Sequence, residues 1–168
     1  MLLTLLTFRE APWSGLELRP PGYLKLVEKS RAACLAAVET YNRASFHYRE
    51  ETFSILMINA WELLLKARIV QANGGKLGSL YEMRPKKKPD GTTSRFKEPK
   101  LTRSGAPMTI GMEKAYNLVA GYTVNGVDKA CIANLEALLE IRDCATHLTA
   151  TDALLRRSLS EISLAAVR

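Results

Sequence analysis

Residues 49 to 72 constrain this chain more than any other stretch, because they are apolar on nearly every side of a helix. Phe53, Ile55, Leu56, Met57, Ile58, Trp61, Leu63, Leu64, Leu65, Ile69 and Val70 leave no broad polar face for solvent. A helix of that kind has to be surrounded, which places it in the middle of a bundle. Glu50 and Glu51 sit at its positive end, and Gly74-Gly75 follow its negative end. One narrow stripe remains polar: Asn59, Glu62 and Lys66, spaced by three and four. It reads either as a solvated edge with a Glu62–Lys66 ion pair or as a row that turns the Glu62 carboxylate inward.

The rest of the chain supplies partners for such a helix. Tyr23 to about Tyr41 carries the stripe Leu24, Val27, Cys34, Leu35, Val38 and Tyr41, with Asn42 as a stop. Its alanines 32, 33, 36 and 37 would admit a close neighbour. Met112 to Ala120 forms a third helix with Thr109 as a candidate cap, and about Val127 to His147 a fourth. About Thr151 to Val167, with Leu155, Leu159 and Ile162 on one face, forms a fifth. Residues 1–22, ending in Pro20-Pro21-Gly22, read as an extended lead-in, and 23–168 as one helical domain. The expected fold is therefore all-α: an antiparallel bundle of about five helices with one insertion, about 73–108, between helices 2 and 3. At 168 residues the chain can bury about 70% of its unfolded surface without metal or disulfide.

That insertion holds too many glycines and prolines for a helix. Tyr81-Glu82-Met83-Arg84 and Arg95-Phe96-Lys97 flank Pro89-Asp90-Gly91 as a short hairpin that the prolines would keep at an edge. It also holds most of the positive charge. Between Arg84 and Arg103 lie eight basic residues and two acidic ones, so this segment carries +6 of the chain's net +7. Lys86, Lys87, Lys88, Arg95, Lys97, Lys100 and Arg103 form a concentrated patch suited to a polyanion, or else a solubilising loop.

Other classes are disfavoured. Three separate cysteines without a CxxC pair read as reduced thiols in a cytosolic protein, and two histidines without a Cys/His cluster argue against a zinc site. The apolar start meets Arg9 and Glu10 too soon for a signal peptide, and the longest later apolar run is broken by Asn59 and Glu62, short of a membrane span.

The candidate chemistry lies in Glu140-Ile141-Arg142-Asp143-Cys144-Ala145-Thr146-His147. Leu135, Leu138 and Leu139 recur at helical spacing, and the next position on that stripe is Arg142. A half-buried guanidinium needs a carboxylate or an anionic ligand. His147 is a proton carrier near neutrality. Five residues separate the two, about 140° on a straight helix, so they share a face only if the helix ends between them or a second copy contributes. Asp143 and His147, four apart, can meet directly. The plain alternative is a pair of cations at a helix C-terminus. His47 reads as a satisfied histidine at a helix start.

The run Arg142-Asp143-Cys144-Ala145-Thr146-His147 resembles the Arg-polar-x-x-x-His motif of the HEPN superfamily of ribonucleases, and Ala60-Trp61-Glu62-Leu63-Leu64-Leu65-Lys66-Ala67 looks like the helix that precedes it there. From Lys29 to His147 the chain also resembles an uncharacterised bacterial family of unknown function within that superfamily. Its marks are Arg49-Glu50-Glu51-Thr52-Phe53, the Glu62 run, Gly75-Lys76-Leu77 and Arg103-Ser104-Gly105-Ala106-Pro107-Met108-Thr109-Ile110. The resemblance implies a homodimeric, cytoplasmic, cofactor-free and metal-independent endoribonuclease, a toxin or phage-defence effector with an antitoxin or nucleotidyltransferase partner. It implies His147 as general acid or base, Arg142 as the stabiliser of phosphate charge, Asp143 as the orienting group and Glu62 in support. Some members carry a tyrosine, the target of a modifying partner, where this chain has Thr149. A non-catalytic RNA- or nucleotide-binding bundle, or an interaction module of a defence complex, would use the same features without cutting.

Overall fold

In the computed structural model, residues 21–89 and 91–146 are described. They form α1 (Gly22–Tyr41), α2 (Arg49–Ala72), a 3-10 turn (Leu77–Leu80), β1 (Met83–Lys87), β2 (Thr93–Pro99), α3 (Met112–Ala120) and α4 (Lys129–Thr146). The molecule is mostly helical, with a small two-stranded antiparallel sheet; the described residues hold four α-helices where about five were expected for the whole chain. The expected fifth helix and nearly all of the N-terminal lead-in lie outside the described residues.

The central position of α2 follows from its all-round apolarity. It packs against α1, α3, α4 and the 3-10 turn. Leu65, Ile69 and Val70 meet Leu80, Ile110, Met112, Ala115, Tyr116, Val119 and Leu135 in one core. The C-terminus of α2 is closed by a Schellman arrangement: Gly75 N–H donates to Val70 O at 2.8 Å and Gly74 N–H to Gln71 O at 3.3 Å. Gly74, at φ 65°, takes the left-handed conformation this turn requires.

Helix α1 runs antiparallel to α2, since Ser30 Oγ donates to Ala60 O at 2.7 Å while the Tyr41 ring packs at a tilt against Phe53 near the connecting turn. Its packed face differs from the expected stripe. Ser30 and Ala37 are the buried positions, whereas Leu35, Val38 and Tyr41 are exposed. Small side chains set the contact because they let two backbones approach, which larger ones would hold apart.

Both ends of α3 are tied to one turn of α2. Thr109 Oγ1, just before α3, accepts from Lys66 Nζ at 2.9 Å, and after α3 Arg68 donates to Val124 O at 2.5 Å with its guanidinium over the Tyr122 ring. Thr109 was expected to cap α3, but Gly111 occupies the cap position and makes no side-chain bond. The capping seen at α4 is made by Asp128, whose Oδ1 accepts from Cys131 N–H at 2.7 Å.

The insertion is a hairpin, with Met83 opposite Pro99, Arg84 opposite Glu98, Pro85 opposite Lys97 and Lys87 opposite Thr93. A two-stranded ribbon leaves one edge of each strand unpaired, so Pro85 and Pro99 can lie inside the strands. Its base is welded to the following segment by a closed ring of backbone bonds: Glu82 N–H to Met108 O, Met108 N–H to Lys100 O and Lys100 N–H to Glu82 O. Ile110 N–H to Leu80 O and the Tyr81–Thr109 bridge carry this ladder into the core. The hairpin expected in the insertion is thus the small sheet of a mostly helical fold. Among the described residues no helix is long and apolar enough to cross a membrane.

Candidate functional site

The face of α4 that packs inward is Leu135, Leu138 and Ile141, all buried. The stripe therefore continues through Ile141, and Arg142 sits on its flank with its side chain 34% exposed. A guanidinium in that half-wet position is stabilised by a carboxylate, and Arg142 Nε lies 2.8 Å from Asp143 Oδ1. Asp143 therefore meets Arg142 directly, and its expected contact with His147 falls on a residue outside the described ones. His147 lies outside the described residues.

Glu62 stands elsewhere. Its Oε1 is 2.6 Å from Lys66 Nζ, and no ion pair joins it to Arg142 among the described residues. The stripe Asn59, Glu62, Lys66 is not uniformly solvated: Asn59 is exposed, yet the Lys66 side chain is only 11% exposed. Burial of that ammonium is offset by two partners, Glu62 on the same helix and Thr109, which ties α2 to the segment entering α3. The Glu62–Lys66 ion pair read from the spacing is therefore present, and Thr109 extends it into a lock on the core.

The basic hairpin projects its cations into solvent. Lys86, Lys87, Lys88, Arg95, Lys97, Lys100 and Arg103 are all exposed. Lys100 pairs with Glu82 at 3.2 Å, and Arg84 with Glu98 at 2.9 Å. The other six have no carboxylate partner among the described residues, so they form the uncompensated part of the patch. Among them stands Phe96, 79% exposed. Sequence reasoning passed over this ring, although an aromatic flanked by Arg95 and Lys97 was a legible signal.

Two thiols and a phenol complete the titratable features. Burial pushes the Cys34 thiol up, and burial together with Asp128 does the same for Cys131. The Tyr116 phenol is raised by burial and then by Glu136, whose Oε1 accepts its hydrogen bond at 3.2 Å. No group of three or more His, Cys, Asp or Glu able to hold a metal occurs among the described residues.

No curated protein and no solved structure matches the chain. Residues 25–168 match the family described as a domain of unknown function, DUF3644. That match takes in all four helices but the first turn of α1, the basic hairpin and the whole Arg142–His147 run, and the chain belongs to the DUF3644 family.

Proposed function

We propose that this protein is a metal-independent endoribonuclease of the HEPN type, acting in the cytoplasm as a toxin or defence effector. The observation that carries the reading is Arg142: a half-buried guanidinium held by Asp143 at 2.8 Å, at the end of α4 and five residues before His147. In the reaction, the RNA 2′-oxygen forms a bond to the adjacent phosphorus and the bond to the 5′-oxygen breaks. His147 serves as the general base or acid in this exchange. The proton of the 2′-hydroxyl leaves to a base, and the departing 5′-oxygen gains one. Arg142 donates to the phosphate oxygens as charge builds on them, a task suited to its fork of N–H groups. Asp143 holds Arg142 in place. Because about 140° separates positions 142 and 147 on a straight helix, a two-fold dimer that pools both α4 ends brings an arginine and a histidine to one phosphate. Thr149 offers no tyrosine to a modifying nucleotidyltransferase, which favours control by a bound antitoxin.

The test is RNA incubated in EDTA with wild type, Arg142→Ala and His147→Ala. Wild type is expected to leave 2′,3′-cyclic phosphate and 5′-hydroxyl ends, and loss of His147 to slow cleavage by about a hundredfold or more. A second reading, a non-catalytic RNA-binding module, is favoured by the six uncompensated hairpin cations. Binding without cleavage by wild type would select it.

A further inference from the structure

We infer that the hairpin is a single-strand-specific RNA platform on which Phe96 stacks an unpaired base. Phe96 is the most exposed large apolar residue among the described ones. It lies in the middle of the ribbon, where Ser94, Arg95 and Phe96 together oppose the single residue Lys86, between the Pro85–Lys97 and Lys87–Thr93 pairs. Such a bulge bends the strand and re-aims its side chains. The bulge is held locally, with Phe96 N–H donating to Ser94 Oγ at 3.1 Å. The ring is thereby turned to water rather than folded onto the helices, at a hydrophobic cost that a ligand would recover.

The surroundings select the ligand. Lys86 stands opposite the bulge, Arg95 and Lys97 flank the ring in sequence, and Lys87 and Lys88 continue towards the turn. Cations around one exposed aromatic match an unpaired strand, whose phosphates and base faces alternate at short range. A duplex hides its base faces, so it would engage the cations but not the ring. An anionic membrane would favour apolar residues at the hairpin tip. Here the tip reads Lys88-Pro89-Asp90-Gly91-Thr92, and the other exposed apolar residues of this region, Met83, Leu101 and Met108, lie at the opposite end.

The inference takes its ligand class from the RNA reading above but does not depend on cleavage. The probe is a fluorescent 12-nucleotide RNA carrying 2′-O-methyl groups, which blocks the proposed chemistry, single-stranded or annealed to its complement. Binding to the full chain is read by anisotropy across a salt series. Phe96→Ala is expected to weaken single-strand binding by about tenfold or more, with duplex binding and the salt slope unchanged and Phe96→Trp restoring affinity. Equal affinity of wild type and Phe96→Ala for the single strand would overturn the inference, as would equal losses on strand and duplex. Phe96-dependent binding to phosphatidylserine vesicles without a strand preference would overturn it in favour of a membrane surface. Strand binding that needs Phe96, beside intact ordinary RNA, would sustain this inference while removing the nuclease proposal.

Discussion

The Glu62–Lys66–Thr109 lock makes an asymmetric prediction. Glu62→Ala leaves the Lys66 ammonium, in a side chain 11% exposed, with the Thr109 hydroxyl as its remaining partner among the described residues. Removing one member of a fully buried pair costs about 3–5 kcal/mol. Glu62 itself is 30% exposed, so water re-enters from its side and the cost falls to about 2 kcal/mol. Lys66→Met retains the apolar stem and removes the charge, while Glu62 at the rim is rehydrated; about 1 kcal/mol is expected. The double variant should therefore resemble Lys66→Met alone, giving a coupling of about 2 kcal/mol. Urea unfolding followed by the helical circular dichroism signal measures this. With a slope near 2 kcal/mol per molar, Glu62→Ala should lower the midpoint by about 1 M. A wild-type midpoint for Glu62→Ala, or a larger loss for Lys66→Met than for Glu62→Ala, would refute the desolvated-ammonium argument. The same series separates structure from chemistry, because any cleavage lost in Glu62→Ala should scale with the folded fraction.

Two further outcomes follow from the core. A Cβ at Gly126 would meet Tyr122 O at 2.6 Å and Val119 O at 3.0 Å, both backbone atoms with little room to yield. Gly126→Ala should cost about 1–3 kcal/mol, read as a lowered melting temperature. For Tyr116 the sign runs towards alkali: its folded pKa lies above the unfolded value of about 10, so its contribution is complete below that pH and lost as pH rises through the folded value. Melting temperature between pH 9 and 11 should therefore fall more steeply for wild type than for Tyr116→Phe.

Periodicity and punctuation carried much of the architecture. The span Arg49–Ala72, its Gly74-Gly75 stop and its central place all follow from apolar residues on every side, a property of composition at a fixed helical angle. The hairpin was legible from its breakers and β-formers, and its charge from simple counting. Two patterns misled. The largest residues of α1 drew the stripe towards Leu35 and Val38, yet contact between helices depends on which side lets the backbones approach, and Ser30 and Ala37 do so. Thr109 looked like a helix cap, but a long-range lysine claimed its hydroxyl.

By itself the sequence determined which of the described segments are helical, which one is central and where the cations gather, because these depend on neighbours within a few residues. Only the tertiary structure decided that Glu62 serves Lys66, that one turn of α2 anchors both ends of α3, that two of the eight hairpin cations are neutralised, and that Phe96 is left facing water. All but the first depend on partners distant in the chain, and the first is a choice between two readings of one stripe that spacing alone left open.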